Sequence, residues 1–382
     1  MSRVVGAARA AASDAPEVLE RWARQPSGSD DRSGLEAMRT AIAERAATLP
    51  GTVEDVALPG GPPALRVSHR PGAARRLLLV GHYDTVHTAA EPGPPVERTS
   101  PGVLTGPGVA DMKGGILVAL AALAGLEASP AAERVGWELL LTPDEELGAP
   151  RSLAVLEDAG RRADVGLVFE PAAGDGDVVV ARRGRVGVGL HVTGRAAHAG
   201  RDPWNGRSAV AALAELILAA EAMSVCEEGV SVNVGHVEGG GAVNVVPAHA
   251  RAELDVRART AADLRSVEER LADAARAVGV RREVTVQVGT PLRCPPMPRT
   301  PAADALAADY IAGAGTLGLR VAAVAVGGVS DANHVAATGT PVLDGLGVVG
   351  GGLHGPDEWA SLASLDERAA AAALLMERLA GP

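Results

Sequence analysis

The first half of the 382-residue chain alternates short apolar stretches with segments of helical spacing. The pattern predicts strands over 76–80, 136–141 and 164–169, separated by helices over 113–126 and 150–159. The same alternation returns over residues 302–379. Strands that alternate with helices favour a largely parallel sheet covered by helices, so the sequence predicts an α/β domain.

The pattern changes in the middle of the chain. Alternating apolar residues predict four strands there and helical spacing predicts two helices, in the order strand, helix, strand, strand, helix, strand. This is the order of the ferredoxin-like α+β fold. We therefore predict an α/β domain in two parts, 1–179 and 293–382, with an inserted domain over 180–292.

Five segments far apart in the chain each carry a histidine or a carboxylate, most of them just after a predicted strand. Loops at the carboxyl ends of strands in an open α/β sheet converge on one crevice, so these side chains can meet there. Imidazoles and carboxylates without thiolates suit zinc or a similar divalent ion. Five ligands are too many for one catalytic zinc, but they suit two ions that share a carboxylate. The candidate ligands are His82, Asp111, Glu146, Glu170 and His354.

The segments that carry these ligands read GHYD, GVADMKGG, PDEE, FEP and HGPDE. Together they resemble the dizinc family of acetylornithine deacetylase, succinyl-diaminopimelate desuccinylase, aminoacylase and glutamate carboxypeptidase. The resemblance covers nearly the whole chain, including the position of the inserted domain. It implies a zinc-hydrolase catalytic domain with an inserted lid that also forms the dimer interface.

The resemblance also implies how the ions are held. The implied ligand sets are His82, Asp111 and Glu170 for one zinc and Asp111, Glu146 and His354 for the other, with Asp111 bridging. Co²⁺ or Mn²⁺ could substitute for zinc. Glu145 matches the family's general base, which activates the water between the ions and later protonates the leaving amine. Asp84 would hold the ring of His82 as a partner outside the ligand sphere.

Further matches lie in and beside the inserted domain. His198, in GRAAHAG, would reach across a dimer interface and help polarise the scissile carbonyl, an oxyanion-type role. Asn244, in AVNVVP, would contact the substrate, and Arg257, in DVR, would grip its carboxylate. Gly328 and Ser330 belong to GGVSD, which opens a predicted helix whose amides could receive a substrate carboxylate.

The resemblance implies hydrolysis of an amide bond beside a free carboxylate. The segments PVLDGLG and GGGLHGPDE most resemble the glutamate carboxypeptidase branch. An N-acyl-amino-acid deacylase, or a γ-glutamyl deblocking enzyme of a biosynthetic route, would use the same bond chemistry, and the sequence does not separate these alternatives. A non-catalytic dimeric binding protein is a third reading, which the presence of every ligand and of Glu145 disfavours.

The composition bounds partners and location. A net charge of −11 without a lysine and arginine cluster argues against nucleic acid, and no apolar stretch predicts a signal peptide or a membrane span. Cys226 and Cys294 offer no disulfide framework. We therefore expect a cytoplasmic enzyme that acts on a small acylated amino acid or short peptide, as a homodimer through the inserted domain.

Overall fold

The computed structural model describes residues 2–88, 91–100 and 102–381. These residues form two compact units. Unit 1 contains Met1–Ala181, Arg299–Val326 and Ser330–Pro382, and unit 2 contains Arg182–Pro298 and Gly327–Val329. We propose that unit 2 is the inserted domain predicted over 180–292.

The strands and helices are numbered in chain order. The strands are β1 (Thr52–Val56), β2 (Ala64–His69), β3 (Arg75–His82), β4 (Glu97–Ser100), β5 (Val103–Thr105), β6 (Val135–Thr142), β7 (Val165–Val168), β8 (Val178–Arg182), β9 (Gly184–Thr193), β10 (Ser231–Gly239), β11 (His249–Ala258), β12 (Thr285–Cys294), β13 (Ala323–Val326), β14 (Val342–Leu343), β15 (Gly350–Gly351) and β16 (Trp359–Ser361). The α-helices are α1 (Arg3–Ala11), α2 (Ala15–Ala23), α3 (Arg32–Ala46), α4 (Gly115–Glu127), α5 (Leu153–Arg162), α6 (Ala209–Glu221), α7 (Ala261–Arg282), α8 (Pro301–Thr316), α9 (Asp331–Ala336) and α10 (Ala363–Leu379).

Unit 1 is built on a six-stranded sheet in the order β1-β2-β6-β3-β7-β14. The last four of these strands are parallel, while β1 and β2 extend one edge as antiparallel strands. The structure therefore confirms the predicted α/β class with a mostly parallel central sheet. A smaller antiparallel sheet, β15-β16-β5-β4, also belongs to this unit.

The core of unit 1 explains the apolar patterns in the sequence. Leu77–Val80 of β3 are all at most 1% exposed, as expected for a parallel strand covered on both faces. Helix α4 packs against α1 and α10 and is buried nearly all round. Contrary to the expectation from sequence, one stretch, Val109–Glu127, is long and apolar enough to cross a membrane, but 94% of its most apolar window is buried, as in the core helix of a soluble protein.

The parallel strands place several predicted ligands at one edge of the sheet. β3 ends at His82, β6 ends three residues before Glu145, and β7 ends two residues before Glu170. The carboxyl ends of parallel strands lie side by side, so the sheet itself brings these distant residues together.

Unit 2 is an antiparallel sheet in the order β10-β11-β9-β12, with α6 and α7 packed on one face. In β9, alternate residues from Val186 to Val192 are buried and the residues between them are less buried or exposed. The strand order and the connections are those of the predicted ferredoxin-like fold. The role of unit 2 as a lid and as a dimer interface is a proposal.

Candidate metal centre

His82 is held at the end of β3 by Asp84. The His82 side chain is 1% exposed, and its Nδ1 lies 3.0 Å from the carbonyl oxygen of Asp84 and 3.3 Å from Asp84 Oδ1. The buried Asp84 carboxylate also accepts hydrogen bonds from the backbone amides of Glu145 and Glu146, both at 3.2 Å. Asp84 thus orients the imidazole and anchors the loop that follows β6. The Nε2 atom of His82 is left to face the other ligand candidates.

Asp111 lies between two imidazoles. Its Oδ1 is 3.1 Å from His82 Nε2, and its Oδ2 is 3.2 Å from His354 Nε2. It belongs to an irregular turn before α4, in which the backbone of Asp111 is not helical. This geometry lets one carboxylate serve two neighbouring positions.

Two further carboxylates complete the arrangement. Glu170 Oε1 lies 3.7 Å from His82 Nε2, and Glu146 Oε2 lies 3.2 Å from His354 Nε2. The structure therefore brings all five predicted ligands together in unit 1. They form two groups that share Asp111, one with His82 and Glu170 and the other with Glu146 and His354.

The donor set fits divalent metal ions. The ligand atoms of His82, Asp111 and Glu146 lie within 4.8 Å of one another. The buried Oε1 atom of Glu146 has no hydrogen-bond partner among the described residues, which is costly for a carboxylate unless a cation approaches it. Three buried or nearly buried carboxylates around two imidazoles carry an excess of negative charge that two cations would offset.

Without metal, protons on the imidazoles replace this missing positive charge. Hydrogen bonds with Asp111 and Glu146 raise the pKa of His354 to about 10. Burial alone would lower the pKa of His82, but its hydrogen bonds with Asp111 and Asp84 raise it well above the usual value. Burial alone would raise the pKa of Asp111, yet the same two imidazoles lower it.

These directions predict that metal binding releases protons. Both shifts favour the protonated imidazole in the metal-free protein, and only a neutral imidazole can bind a metal, so protons should leave when metal binds. Metal affinity should therefore increase as the pH rises from 7 towards the His354 pKa of about 10. Calorimetric titration with zinc in buffers of different ionisation enthalpy measures the proton count. A count of zero at pH 7 would contradict this description.

Glu145 lies beside the ligands in a short turn of helix, Glu145–Leu147, after β6. Burial of its carboxyl raises the pKa of Glu145 well above the usual value. The charge of His82 acts to lower this pKa, whereas nearby carboxylates, including Asp331, act to raise it. Asp331 is itself buried, accepts a 2.8 Å hydrogen bond from Thr142 Oγ1, and has a pKa raised by burial to about 7. A carboxyl with a raised pKa is suited to exchange protons near neutral pH.

His198 and Asn244 are neighbours in unit 2. The exposed ring of His198 accepts hydrogen bonds at Nδ1 from the amides of Gly200 and Arg201, at 3.1 and 3.2 Å. In the neutral ring the proton must then be on Nε2. The segment of Asn244 pairs with that of His198, with the Asn244 carbonyl accepting from the amide of Ala199 at 2.9 Å.

Arg257 is fixed within unit 2 by an internal carboxylate. Its Nε donates to Asp255 Oδ1 at 2.8 Å and its Nη1 donates to the carbonyl oxygen of Gly327 at 3.1 Å. Arg185 donates to the same Asp255, and Arg182 donates to the carbonyl of Gly328 at 3.1 Å. Arg182 and Arg185 were not among the predicted site residues, although both belong to the run RRGR over 182–185.

Ser330 caps α9, as the predicted helix start requires. Its buried hydroxyl donates to Asp344 at 2.9 Å and accepts from the amide of Ala332 at 3.2 Å, and its amide donates to the Asn333 side chain. The substrate contact predicted for Gly328 and Ser330 stays a prediction. His334, in the same helix, is buried and belongs to neither ligand group.

Comparison with known proteins places these features in a wider group. The family model described as "Peptidase family M20/M25/M40" matches residues 78–378. Carboxypeptidase G2 from Pseudomonas sp. (strain RS-16) is 30% identical, over 80% of this chain and 75% of its own length. A succinyl-diaminopimelate desuccinylase from Methylobacterium sp. (strain 4-46) is 33% identical, over 82% of this chain and 83% of its own length.

Solved structures share the fold at lower identity. An M20 family metallo-carboxypeptidase from Sulfolobus solfataricus superposes with a TM-score of 0.76 at 19% identity, covering 95% of this chain and 98% of its own. Aminopeptidase PepT from Bacillus cereus gives a TM-score of 0.78 at 20% identity, covering 96% and 98%. These structures support the architecture of the chain.

Proposed function

Because the chain belongs to the M20/M25/M40 family of peptidases, we propose that it is a dizinc hydrolase that cleaves an amide bond beside a free carboxylate. Membership of the family makes the chain a metallohydrolase of amide bonds. The observation that carries the dizinc proposal is the Asp111 carboxylate, whose two oxygens each lie close to the histidine of a different ligand group. When bound, the two ions would polarise the scissile carbonyl and lower the pKa of a water molecule.

Glu145 is the proposed proton carrier. Its carboxylate takes a proton from the attacking water and delivers it to the leaving amide nitrogen, so the group returns to its starting state after each cycle. Asp84 supports this role indirectly, because its carboxylate binds the amide of Glu145 and the ring of His82. A ligand and the proton carrier are thereby held by one buried group.

We propose His198 as the donor to the carbonyl oxygen. Its Nδ1 is occupied by two backbone amides, so Nε2 presents a hydrogen to any acceptor that approaches the exposed edge of the ring. Such a donor stabilises the negative charge that develops on the carbonyl oxygen during attack. We further propose a cytoplasmic homodimer in which His198 serves the partner's site.

The proposed substrate is a peptide with a C-terminal glutamate, or a similar carboxylate-bearing amide. Arg257 is the proposed carboxylate anchor, because a guanidinium held rigid by Asp255 and by the Gly327 carbonyl loses little freedom when it binds. The resemblance to carboxypeptidase G2 favours this substrate class. The 33% identity to a desuccinylase favours an N-acyl-amino-acid substrate as the second candidate.

A paired substrate panel tests the proposal. N-acyl amino acids and dipeptides with C-terminal glutamate are each compared with the corresponding C-terminal carboxamide, in the presence of zinc. We expect the kcat/KM of the free acids to be about 10–100-fold higher than that of the carboxamides. This ratio corresponds to the free energy of one charge-assisted hydrogen-bonded pair. Equal cleavage of acid and carboxamide would contradict recognition of the carboxylate, whichever acyl group is preferred.

Mixing two inactive variants tests the shared site. Glu145→Ala and His198→Ala chains are each expected to be nearly inactive, but a heterodimer has one site with both residues intact. With random exchange of equal amounts, half of the dimers are mixed and each has one competent site, so about a quarter of wild-type activity should return. If mass spectrometry shows exchange and activity stays absent, His198 does not serve the partner's site.

A further inference from the structure

Glu358 is a buried carboxylate that the proposed chemistry does not use. It is 1% exposed, and its Oε1 accepts hydrogen bonds from the amides of Ala110, at 3.0 Å, and Asp111, at 3.1 Å. Its Oε2 accepts from the amide of Gly108, at 3.0 Å, and lies 3.2 Å from His87 Nε2. Four donors therefore converge on one side chain.

Three of these donors belong to the turn that carries Asp111. This turn begins at Gly108, whose φ of +70° lies in the left-handed region, and Asp111 itself has φ −113° and ψ 90°. Backbone of this shape cannot satisfy its own amides as a regular helix does, so a buried acceptor outside the turn must do so. Glu358 supplies that acceptor.

Glu358 also lies four residues after His354 in the same loop. The backbone carbonyl of Glu358 accepts a further hydrogen bond from the amide of Gly106, at 3.3 Å. The loop of His354 and the turn of Asp111 are thus joined through one residue, although they are about 250 residues apart in sequence.

Lys113 holds the same turn from another direction. Its ammonium is 1% exposed and donates to the carbonyl oxygens of Trp22 and Gln25, both at 3.0 Å. The turn is therefore fixed on two sides by hydrogen bonds of buried side chains, neither of which is in the ligand groups.

We propose that Glu358 is a positioning residue for the metal centre. By fixing the backbone of Asp111 relative to the loop of His354, it places the shared carboxylate between the two histidines. This inference rests on the proposed dizinc function. Because Asp111 belongs to both ligand groups, loss of Glu358 should weaken the binding of both ions, whereas loss of Glu170 should weaken mainly the binding of one.

Zinc affinity of Glu358→Gln tests the inference directly. Glutamine has the shape of glutamate but only one acceptor oxygen. Its amide NH₂ group would lie against N–H donors that now bind the second carboxylate oxygen. Competition with a chromophoric chelator should show both zinc ions bound about 10–100-fold more weakly, the usual effect of losing a partner of a metal ligand. Asp357→Asn, a neighbouring exposed carboxylate with the same charge change, should bind both ions as the wild type does.

Further measurements separate positioning from general stability. Circular dichroism of the metal-free proteins checks the fold, and the visible spectrum of the Co²⁺-loaded forms should change in Glu358→Gln and not in Asp357→Asn. If Glu358→Gln does not fold, Glu358→Asp replaces it and should weaken both ions, since a shorter carboxylate cannot reach all four donors.

The outcomes distinguish the two proposals. Wild-type affinity for both ions in the folded variant would overturn the inference about Glu358. Weaker binding of one ion alone would also overturn it, because Glu358 is proposed to act through Asp111, which both ligand groups share. If the wild-type chain itself binds fewer than two zinc ions, the proposed dizinc function is wrong, and the inference about Glu358 falls with it.

Discussion

Glu145→Ala is expected to keep both zinc ions and to lose activity by about 10²–10⁴-fold, the usual contribution of a positioned proton carrier. The reason is geometric. Glu145 follows β6 beside the two ligand groups, and its pKa is raised by burial, but its carboxyl makes none of the short contacts to histidine that the ligand candidates make.

The measurement combines metal analysis with steady-state kinetics on one preparation. The matched control is Asp158→Asn, an exposed carboxylate on α5 that should retain full activity. The loss should fall on kcat, since proton transfer contributes in the transition state. Loss of one zinc from Glu145→Ala would assign this residue to the ligands, and full activity with two ions would remove it from the mechanism.

Asp111→Ala is expected to lose both ions together. Its two oxygens lie 3.1 Å from His82 Nε2 and 3.2 Å from His354 Nε2, so removal of one side chain takes a ligand from each group. Each affinity should fall by more than the roughly 10–100-fold that follows loss of a group outside the ligand sphere. Activity should then be lost even at zinc concentrations that saturate the wild type.

Two other variants make this prediction specific. Asp111→Asn keeps one neutral oxygen donor and should weaken both ions less severely. Glu170→Ala should weaken mainly the ion beside His82. Chelator competition monitored by metal analysis gives the separate affinities, and two tightly bound ions in Asp111→Ala would show that the shared ligand is another residue.

Much of unit 1 could be predicted from sequence because its central parallel strands are buried on both faces. The apolar run predicted as a strand over 76–80 forms β3, Arg75–His82. Helix α4 was predicted from residue 113 but begins at Gly115, because Val109–Gly114 is an irregular turn whose amides bond to Glu358 instead. Helical spacing alone does not reveal such a turn.

Other elements depend on contacts that periodicity does not contain. Of the apolar stretch 341–346, only Val342–Leu343 pair in the main sheet, because Asp344 pairs with the backbone of Val179. No helix or strand was predicted before residue 76, where the structure has α1, α2 and α3 as well as β1 and β2. The partners that bury these segments are distant in sequence.

The candidate site was also predictable only in part. The five ligands could be expected to meet because strand ends of a parallel sheet converge, and unit 1 does bring them together. The residues that support them could not be found in this way, since Glu358 acts on Asp111 across 247 positions. The proposed roles of His198, Asn244, Arg257, Gly328 and Ser330 rest on the family resemblance and stay predictions.

The most direct test of the dizinc centre is anomalous diffraction at the zinc edge from crystals of the zinc-loaded wild-type protein. We expect two peaks about 3.5–4 Å apart, with the Asp111 carboxylate between them. One peak should lie beside His82 and Glu170, and the other beside Glu146 and His354. A single peak, or two peaks that do not share Asp111, would contradict the arrangement proposed for this chain.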